Sequence, residues 1–358
     1  MKILKFLTIF AAVTLLFTAC CKSNSERSAY PEPKNVVMII GDGMGPAQVY
    51  SLIMTSDSPT AFERFQYSGF SITKSANKPI TDSAAGGSAI AVGQKSNNGN
   101  IGMNADSIPQ PSMLDLLAAR GKKTGVVVTC AVTHATPASF IAHNVSRSNN
   151  EEIAVDIANR NNLDVLMGGG KKYFCERKDG ENLLDQMFDK GWNIYESLDA
   201  VQDKEGRTFV VADRKHLPEA CKRGDFLPKA TAKAIDLLDN EKGFFLMIEG
   251  SQIDFACHDN DSATMVDEMR DFNDMLNVVL DFAEKDQNTL VVVTADHETG
   301  GLSIIDPQGR YTNPAFHFST GSHSAVFVPV FSYGPGADRF TGLMDNTDIF
   351  KRLMGLYK

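Results

Sequence analysis

Asp254 and His258 stand four residues apart, a spacing that sets a carboxylate and an imidazole on one face of a helix. That arrangement suits a zinc ion. Asp296 and His297 are adjacent, so they reach one metal together only where the chain has left extended geometry, and Gly300-Gly301 just beyond makes such a turn available. His323, at the end of Ser319-Thr320-Gly321-Ser322-His323 and ahead of another apolar run, offers a further ligand to the ion of the first pair. Two more carboxylates follow apolar runs directly: Glu249, and Asp42 in Gly41-Asp42-Gly43-Met44-Gly45, where flanking glycines leave little steric cover. Taken singly, each of these residues reads equally well as a hydrogen-bonded surface or core group. As a set, carboxylates and imidazoles without thiolate favour zinc in a hydrolytic site with a position left for water or a substrate oxygen. They disfavour a cysteine-rich structural zinc site.

Two further residues add a nucleophile and an anion clamp. Ser83, in Thr81-Asp82-Ser83-Ala84-Ala85, opens an alanine-rich helical stretch, where a hydroxyl faces the positive end of the helix. A plain helix cap is the simpler reading of a serine or aspartate there. No Gly-x-Ser-x-Gly elbow surrounds Ser83 and no histidine is close in sequence, so a nucleophilic Ser83 requires activation by a metal. Arg147 follows His134-Ala135-Thr136-Pro137-Ala138, and its planar guanidinium can meet two phosphoryl oxygens at once. By itself it reads as a solvated arginine beside the polar stretch 146–152.

Positioning these side chains calls for strands whose carboxyl ends converge, because open α/β sheets gather functional residues there. The apolar, β-branched runs 36–40, 124–129, 244–248, 290–294 and 326–331 predict such strands. Helical periodicity over 112–120, 229–240 and 265–284, with Gly121 and Gly243 as stop signals, supplies the layers between them. The expected fold is therefore α/β, a three-layer α/β/α sandwich around a mainly parallel sheet. No repeat or linker divides the chain, so residues 31–358 are expected to form one catalytic domain, with the charged stretch 171–228 as a surface insertion.

The 358 residues are 43% hydrophobic, ample for a packed core, and the formal charge is −9. Lys2 and Lys5 precede the apolar run 6–17, too short to span a bilayer comfortably, which predicts a signal peptide over 1–19. Thr18-Ala19-Cys20 resembles a lipoprotein cleavage site, although Leu16 sits one place further from the cysteine than usual. Cys20 is thus the expected lipid anchor, with 20–30 as a linker and the enzyme held in the periplasm or cell envelope. Removing 1–19 takes away two lysines and no acid, moving the formal charge from −9 to −11, which excludes nucleic acid as a partner. Cys130 and Cys257 read as small buried hydrophobes, and Cys175 with Cys221 as a pair that an oxidising compartment could join.

In order along the chain, Gly41-Asp42-Gly43-Met44-Gly45, Thr81-Asp82-Ser83-Ala84-Ala85, His134-Ala135-Thr136-Pro137-Ala138 with Arg147, Glu249-Gly250-Ser251-Gln252-Ile253-Asp254 with His258, Asp296-His297-Glu298-Thr299-Gly300-Gly301 and His323 resemble the alkaline phosphatase family. The resemblance covers about residues 35–335, and six motifs in the right order make it specific. It implies hydrolysis of small-molecule phosphate monoesters through a phosphoserine at Ser83, with Arg147 gripping the phosphoryl oxygens. It implies one zinc on Asp254, His258 and His323, and a second on Asp42, Asp296 and His297 with Ser83. A third ion, magnesium, is implied on Asp42, Thr136 and Glu249, and a homodimer is the common assembly. Two departures stand beside these ligands: His134 where some members have aspartate, and Phe255 where others have lysine, histidine or tryptophan. A sulfatase would need Pro two places after its nucleophile and Arg four, whereas Ser83 is followed by Ala84-Ala85-Gly86-Gly87. A phosphodiesterase relative would keep the two zinc sites, but Thr136, Glu249 and Arg147 argue for monoesters. An inactive zinc- or phosphate-binding lipoprotein would share the fold, but every proposed ligand and Ser83 is present.

Overall fold

Residues 36–40 are apolar and fully buried, as a strand covered on both faces must be. In the computed structural model, which describes residues 32–202, 205–310 and 314–357, this strand is central. The predicted leader and Cys20 lie outside the described residues. The strands in chain order are β1 Asn35–Gly41, β2 Tyr67–Ile72, β3 Lys123–Ala131, β4 Val165–Gly169, β5 Trp192–Tyr195, β6 Arg207–Asp213, β7 Phe244–Gly250, β8 Thr289–Thr294, β9 Glu298–Thr299, β10 Leu302–Ile305, β11 Ala315–Phe318, β12 His323–Ser324, β13 Val328–Tyr333 and β14 Gly342–Asp345. Ten of them form one sheet in the order β14-β2-β13-β8-β1-β7-β3-β4-β6-β5. Only β13 runs antiparallel to its neighbours, β2 and β8.

Helices cover both faces of the sheet. Helices α1 (Pro46–Thr55), α4 (Phe226–Leu238), α5 (Gln252–His258) and α6 (Ser262–Asp286) pack with Val37 and Ile39 of β1, whereas α2 (Ser83–Val92), α3 (Ala135–Ile141) and α7 (Asn346–Met354) pack with Val36, Met38 and Ile40. This alternation is the period of two expected of a strand between two helical layers, and it makes the three-layer sandwich predicted from the sequence. Helix α6 is capped by Asp261, which accepts from the amides of Ala263 and Thr264, and it buries Met265, Met269, Phe272 and Leu276 at helical spacing. Each such side chain contributes about 1.5–3 kcal/mol of transfer free energy.

Two sequence expectations shift. The stretch 171–228 is more than a surface insertion: β5 and β6 within it complete one edge of the sheet, because Trp192 and Phe209 are buried there. The strand expected over 326–331 begins at Val328, where pairing with Ser71 starts, and Val326 and Phe327 are exposed. Cys175 and Cys221 both carry free thiols. Among the described residues no helix is long and apolar enough to cross a membrane.

Register decides where the chemistry collects. Ile40 is paired with Glu249 of β7 on one side and with Thr294 of β8 on the other. Val128 of β3 is also paired with Glu249. Asp42, Glu249, Asp296 and the turn after β3 therefore leave the sheet along one edge.

Candidate metal centre

Beyond β8 the chain turns sharply, and Asp296 and His297 point into one buried space. Gly43, at φ +71°, lets the turn after β1 enter the same space, and a Cβ there would meet Thr299 Oγ1 at 2.8 Å and Asp254 Cα at 2.9 Å. Gly86 has a similar role in α2, where a Cβ would lie 2.7 Å from the carbonyl oxygen of Asp296. These absences of side chain allow the nucleophile helix and two ligand turns to meet.

Three oxygens converge on Nε2 of His297: Ser83 Oγ at 3.1 Å, Asp296 Oδ2 at 3.3 Å and Asp42 Oδ1 at 3.4 Å. Its Nδ1 lies 3.1 Å from Thr299 Oγ1. A neutral imidazole offers at most one proton to three oxygens, so a cation between them is the arrangement that satisfies all four atoms. Asp42 Oδ1, Asp296 Oδ2 and Glu249 Oε1 are buried without a hydrogen bond, a costly state that a divalent cation resolves. The donor set therefore fits the metal ions implied by the sequence. Its electrostatics agree. Burial, followed by the charges of Asp296, Asp254 and Glu249, holds Asp42 well above the ordinary carboxylate range. Burial likewise raises Asp296, and it raises Glu249 to about 7. Burial and the neighbouring His323 hold the His297 imidazole well below its usual value, leaving it neutral and able to ligate.

A second cluster lies against the first. His258 Nε2 is 3.4 Å and His323 Nε2 3.7 Å from Asp254 Oδ1, and the two imidazole nitrogens are 3.2 Å apart. Each ring directs its other nitrogen to a carbonyl oxygen, His258 Nδ1 to Gly321 at 2.8 Å and His323 Nδ1 to Thr81 at 2.8 Å. Those contacts fix the tautomers so that both Nε2 atoms are free for an ion. The His297 and His323 rings stack at 3.5 Å, which joins the clusters into one centre.

On the side facing β3, Thr136 Oγ1 donates to Asp42 Oδ2 at 3.2 Å, with Glu249 beside it. Arg147 donates from Nη1 to Asp82 Oδ2 at 3.3 Å, and its Nη2 lies 3.3 Å from His134 Nε2. Asp82, rather than Ser83, caps α2, its Oδ1 accepting from Ala85 N at 3.0 Å, and this frees the Ser83 hydroxyl from the capping role. Phe255 stands edge-on to His134 with ring centres 5.6 Å apart.

Asp42, Ser83, Thr136, Arg147, Glu249, Asp254, His258, Asp296, His297 and His323 thus lie close together, with His134 and Phe255 beside them. Three others lie against this centre: Thr299 and Glu298, to which the sequence assigns no role, and Cys130, which reads there only as a small buried hydrophobe. Thr299 donates to Asp254 Oδ1 through a short hydrogen bond. Glu298 accepts from Ser324 and from Gln48, and its register partner is Ser324, next to His323. The Cys130 Sγ lies 3.3 Å from Glu249 Oε2, so this cysteine is buried but is not simply a small hydrophobe. The i, i+2 spacing of Thr299 from His297 was the available signal for the first; nothing local signalled the other two.

The sequence model of the alkaline phosphatase family matches residues 33–315. Alkaline phosphatase 4 of Bacillus subtilis is 33% identical over 96% of this chain and 94% of its own. Alkaline phosphatase from the Antarctic bacterium TAB5 superposes with a TM-score of 0.88 at 37% identity, covering 91% of this chain and 98% of that one. Two variants of that enzyme, with one histidine changed to glutamate or aspartate, have Mg bound in the M3 site. With the family model matching most of the chain and a relative alike over 96% of it, the chain belongs to the alkaline phosphatase family and is a phosphatase.

Proposed function

We propose that the protein hydrolyses phosphate monoesters through a phosphoserine at Ser83, with zinc at the two histidine-containing clusters and a third divalent cation on Asp42, Thr136 and Glu249, magnesium by the family pattern. The single observation that carries this reading is the convergence of Ser83 Oγ, Asp42, Asp296 and His297 on one buried point. Bound there, paired divalent cations supply Lewis acidity to the attacking and leaving oxygens of an in-line displacement.

The chain's own residues do the rest. Ser83, the first residue of α2, presents its hydroxyl at the positive end of the helix, where charge developing on a phosphoryl group is favoured. Arg147, held by Asp82, offers its fork to two phosphoryl oxygens. The hydroxyl oxygen displaces the alcohol from phosphorus, and water then displaces the serine oxygen, giving inorganic phosphate and restoring Ser83. Burial of Asp42, Asp296 and His297 keeps water from competing for the ligand atoms.

Residues 31–358 act as one catalytic domain in this reading. An envelope location with Cys20 lipidated rests on the leader sequence, and a homodimer on the family pattern. Turnover of an aryl phosphate by the wild type, lost by roughly 10³-fold or more in Ser83→Ala, tests the nucleophile. A Ser83→Ala protein that is folded, metal-loaded and as active as the wild type would remove Ser83 from the mechanism.

A further inference from the structure

Cys130, the last residue but one of β3, has its side chain fully buried, but its sulfur is not packed only among hydrocarbon. Sγ lies 3.3 Å from Glu249 Oε2 and 3.2 Å from the Ala131 carbonyl oxygen. Just past the strand, the amide of His134 donates to the same Ala131 carbonyl at 2.8 Å, a tight turn that brings the imidazole back over the strand end. One ligand atom from each of Cys130, His134 and Glu249 then lies within 4.8 Å of the others.

We propose that Cys130 and His134 join Glu249 as direct ligands of the third cation, so that in this chain the site takes a thiophilic or borderline ion of the zinc or cobalt class in place of the magnesium that the family pattern assigns there. Two unpartnered atoms point to a ligand at this place: His134 Nδ1 and Glu249 Oε1 are both buried without a hydrogen bond. The thiol hydrogen bond occupies only the other Glu249 oxygen and leaves both of these atoms unsatisfied. A single cation meets the sulfur, the nitrogen and the carboxylate together. Magnesium prefers octahedral oxygen donors and dehydrates reluctantly, whereas thiolate with imidazole selects softer ions. On binding, the S–H bond breaks, its proton passes to solvent, and the freed sulfur electron pair is donated to the metal. The proposal rests on the pocket being a metal centre, and its test separates the two claims.

Metal-free full-length protein is titrated with Co²⁺ and followed by absorption. Visible bands report cobalt bound anywhere in the centre; a near-ultraviolet thiolate-to-cobalt band reports sulfur ligation. The expected result is a charge-transfer band in the wild type, retained in Cys221→Ser, whose thiol is exposed, and lost in both Cys130→Ser and Cys130→Ala. In competition, the wild type should retain a third zinc against excess Mg²⁺, with about 10-fold or greater loss of that preference in Cys130→Ser. Visible bands without the charge-transfer band in the wild type overturn the sulfur ligand while leaving the metal centre standing. Absence of all cobalt bands overturns both claims. If the Cys130 variants fail to fold, the wild-type spectrum and its metal content after Mg²⁺ competition still decide the matter.

Discussion

Asp82 Oδ2 accepts from Arg147 Nη1 at 3.3 Å while Asp82 Oδ1 accepts from the Ala85 amide at 3.0 Å, so the residue beside the nucleophile holds both the catalytic helix and the phosphate clamp. Oδ2 also accepts from the Gly99 amide at 2.9 Å, which anchors the loop that binds Arg147 through its backbone. Asp82→Ala removes a helix cap worth about 1 kcal/mol. It also leaves the guanidinium free to swing. The expected outcome is a modest fall in melting temperature together with a several-fold rise in KM, larger than the change in kcat, measured on one aryl phosphate. A variant with wild-type KM would show that Arg147 is positioned by something else.

The buried carboxylates predict a pH dependence that belongs to the metal-free protein. Burial holds Glu249 at about 7, against an ordinary value of 4.5. A carboxyl raised in the folded state contributes stability that is fully present below its unfolded value and is lost as pH rises through the folded one. Between about pH 4.5 and 7, ionising Glu249 therefore destabilises the metal-free protein, and Asp42 and Asp296, also raised by burial, act in the same direction. The neutral imidazoles of His134 and His297, held low by burial, act in the opposite sense below about 6.5. Glu249→Gln isolates the carboxyl. Its metal-free melting temperature should gain on the wild type as pH rises through this window, and added zinc and magnesium should remove the gain. A gap between the two proteins that does not change from pH 4.5 to 8 would contradict the assignment.

Phe255 lies one residue past the ligand Asp254, edge-on to His134 at 5.6 Å and to His216 at 5.1 Å. It stands where, by the family resemblance, other members carry lysine, histidine or tryptophan, and in the proposed reaction its apolar ring would remove a contact to the product phosphate. Phe255→Lys is expected to tighten inhibition by inorganic phosphate several-fold and to lower kcat, because product leaves more slowly. Lysine cannot make the two edge-on ring pairings, each of which contributes about 0.5–1.5 kcal/mol, so some stability goes as well. Inhibition constants for phosphate, measured side by side, decide it; equal values would mean that position 255 does not face the product.

The strand exits carried most of what could be read in advance. Asp42, Glu249 and Asp296 directly follow runs so apolar that they had to be central strands, and parallel register then forces their turns together. Asp254 and His258 were legible because helical spacing alone puts them on one face. Cys130 was not, since β3 is buried on both sides and alternation cannot say whether a side chain meets a helix layer or a carboxylate. Strands β5 and β6 were hidden because they are short and set in a charge-rich stretch, although Phe209, Val210 and Val211 form a buried apolar run within it. Long-range partners such as Glu298 with Gln48, 250 residues apart, leave no local trace.

Glu298 nevertheless carries a specific expectation for metal binding. It is 2% exposed, and its two oxygens accept from Gln48 Nε2 at 3.1 Å, Leu302 N at 3.0 Å, Gly301 N at 3.2 Å and, through a short bond, Ser324 Oγ. Ser324 is next to the ligand His323, and β12 pairs with β9 through only the two steps His323↔Thr299 and Ser324↔Glu298. So short a ladder cannot hold an imidazole in place by backbone bonds alone, and the carboxylate supplies the missing constraint from the next turn. Glu298→Ala should therefore weaken zinc at the Asp254, His258 and His323 cluster by about 10–100-fold, the usual cost of losing a group that orients a ligand. Zinc at the Asp42, Asp296 and His297 cluster should change less, because His297 is fixed from its own side by Thr299 and the buried carboxylates. Chelator competition resolves the two affinities. Restored binding in Glu298→Gln, which can still accept from Ser324, would identify the hydrogen bond rather than the charge as the working element, whereas equal loss at both clusters would reduce Glu298 to a general stabiliser of the fold.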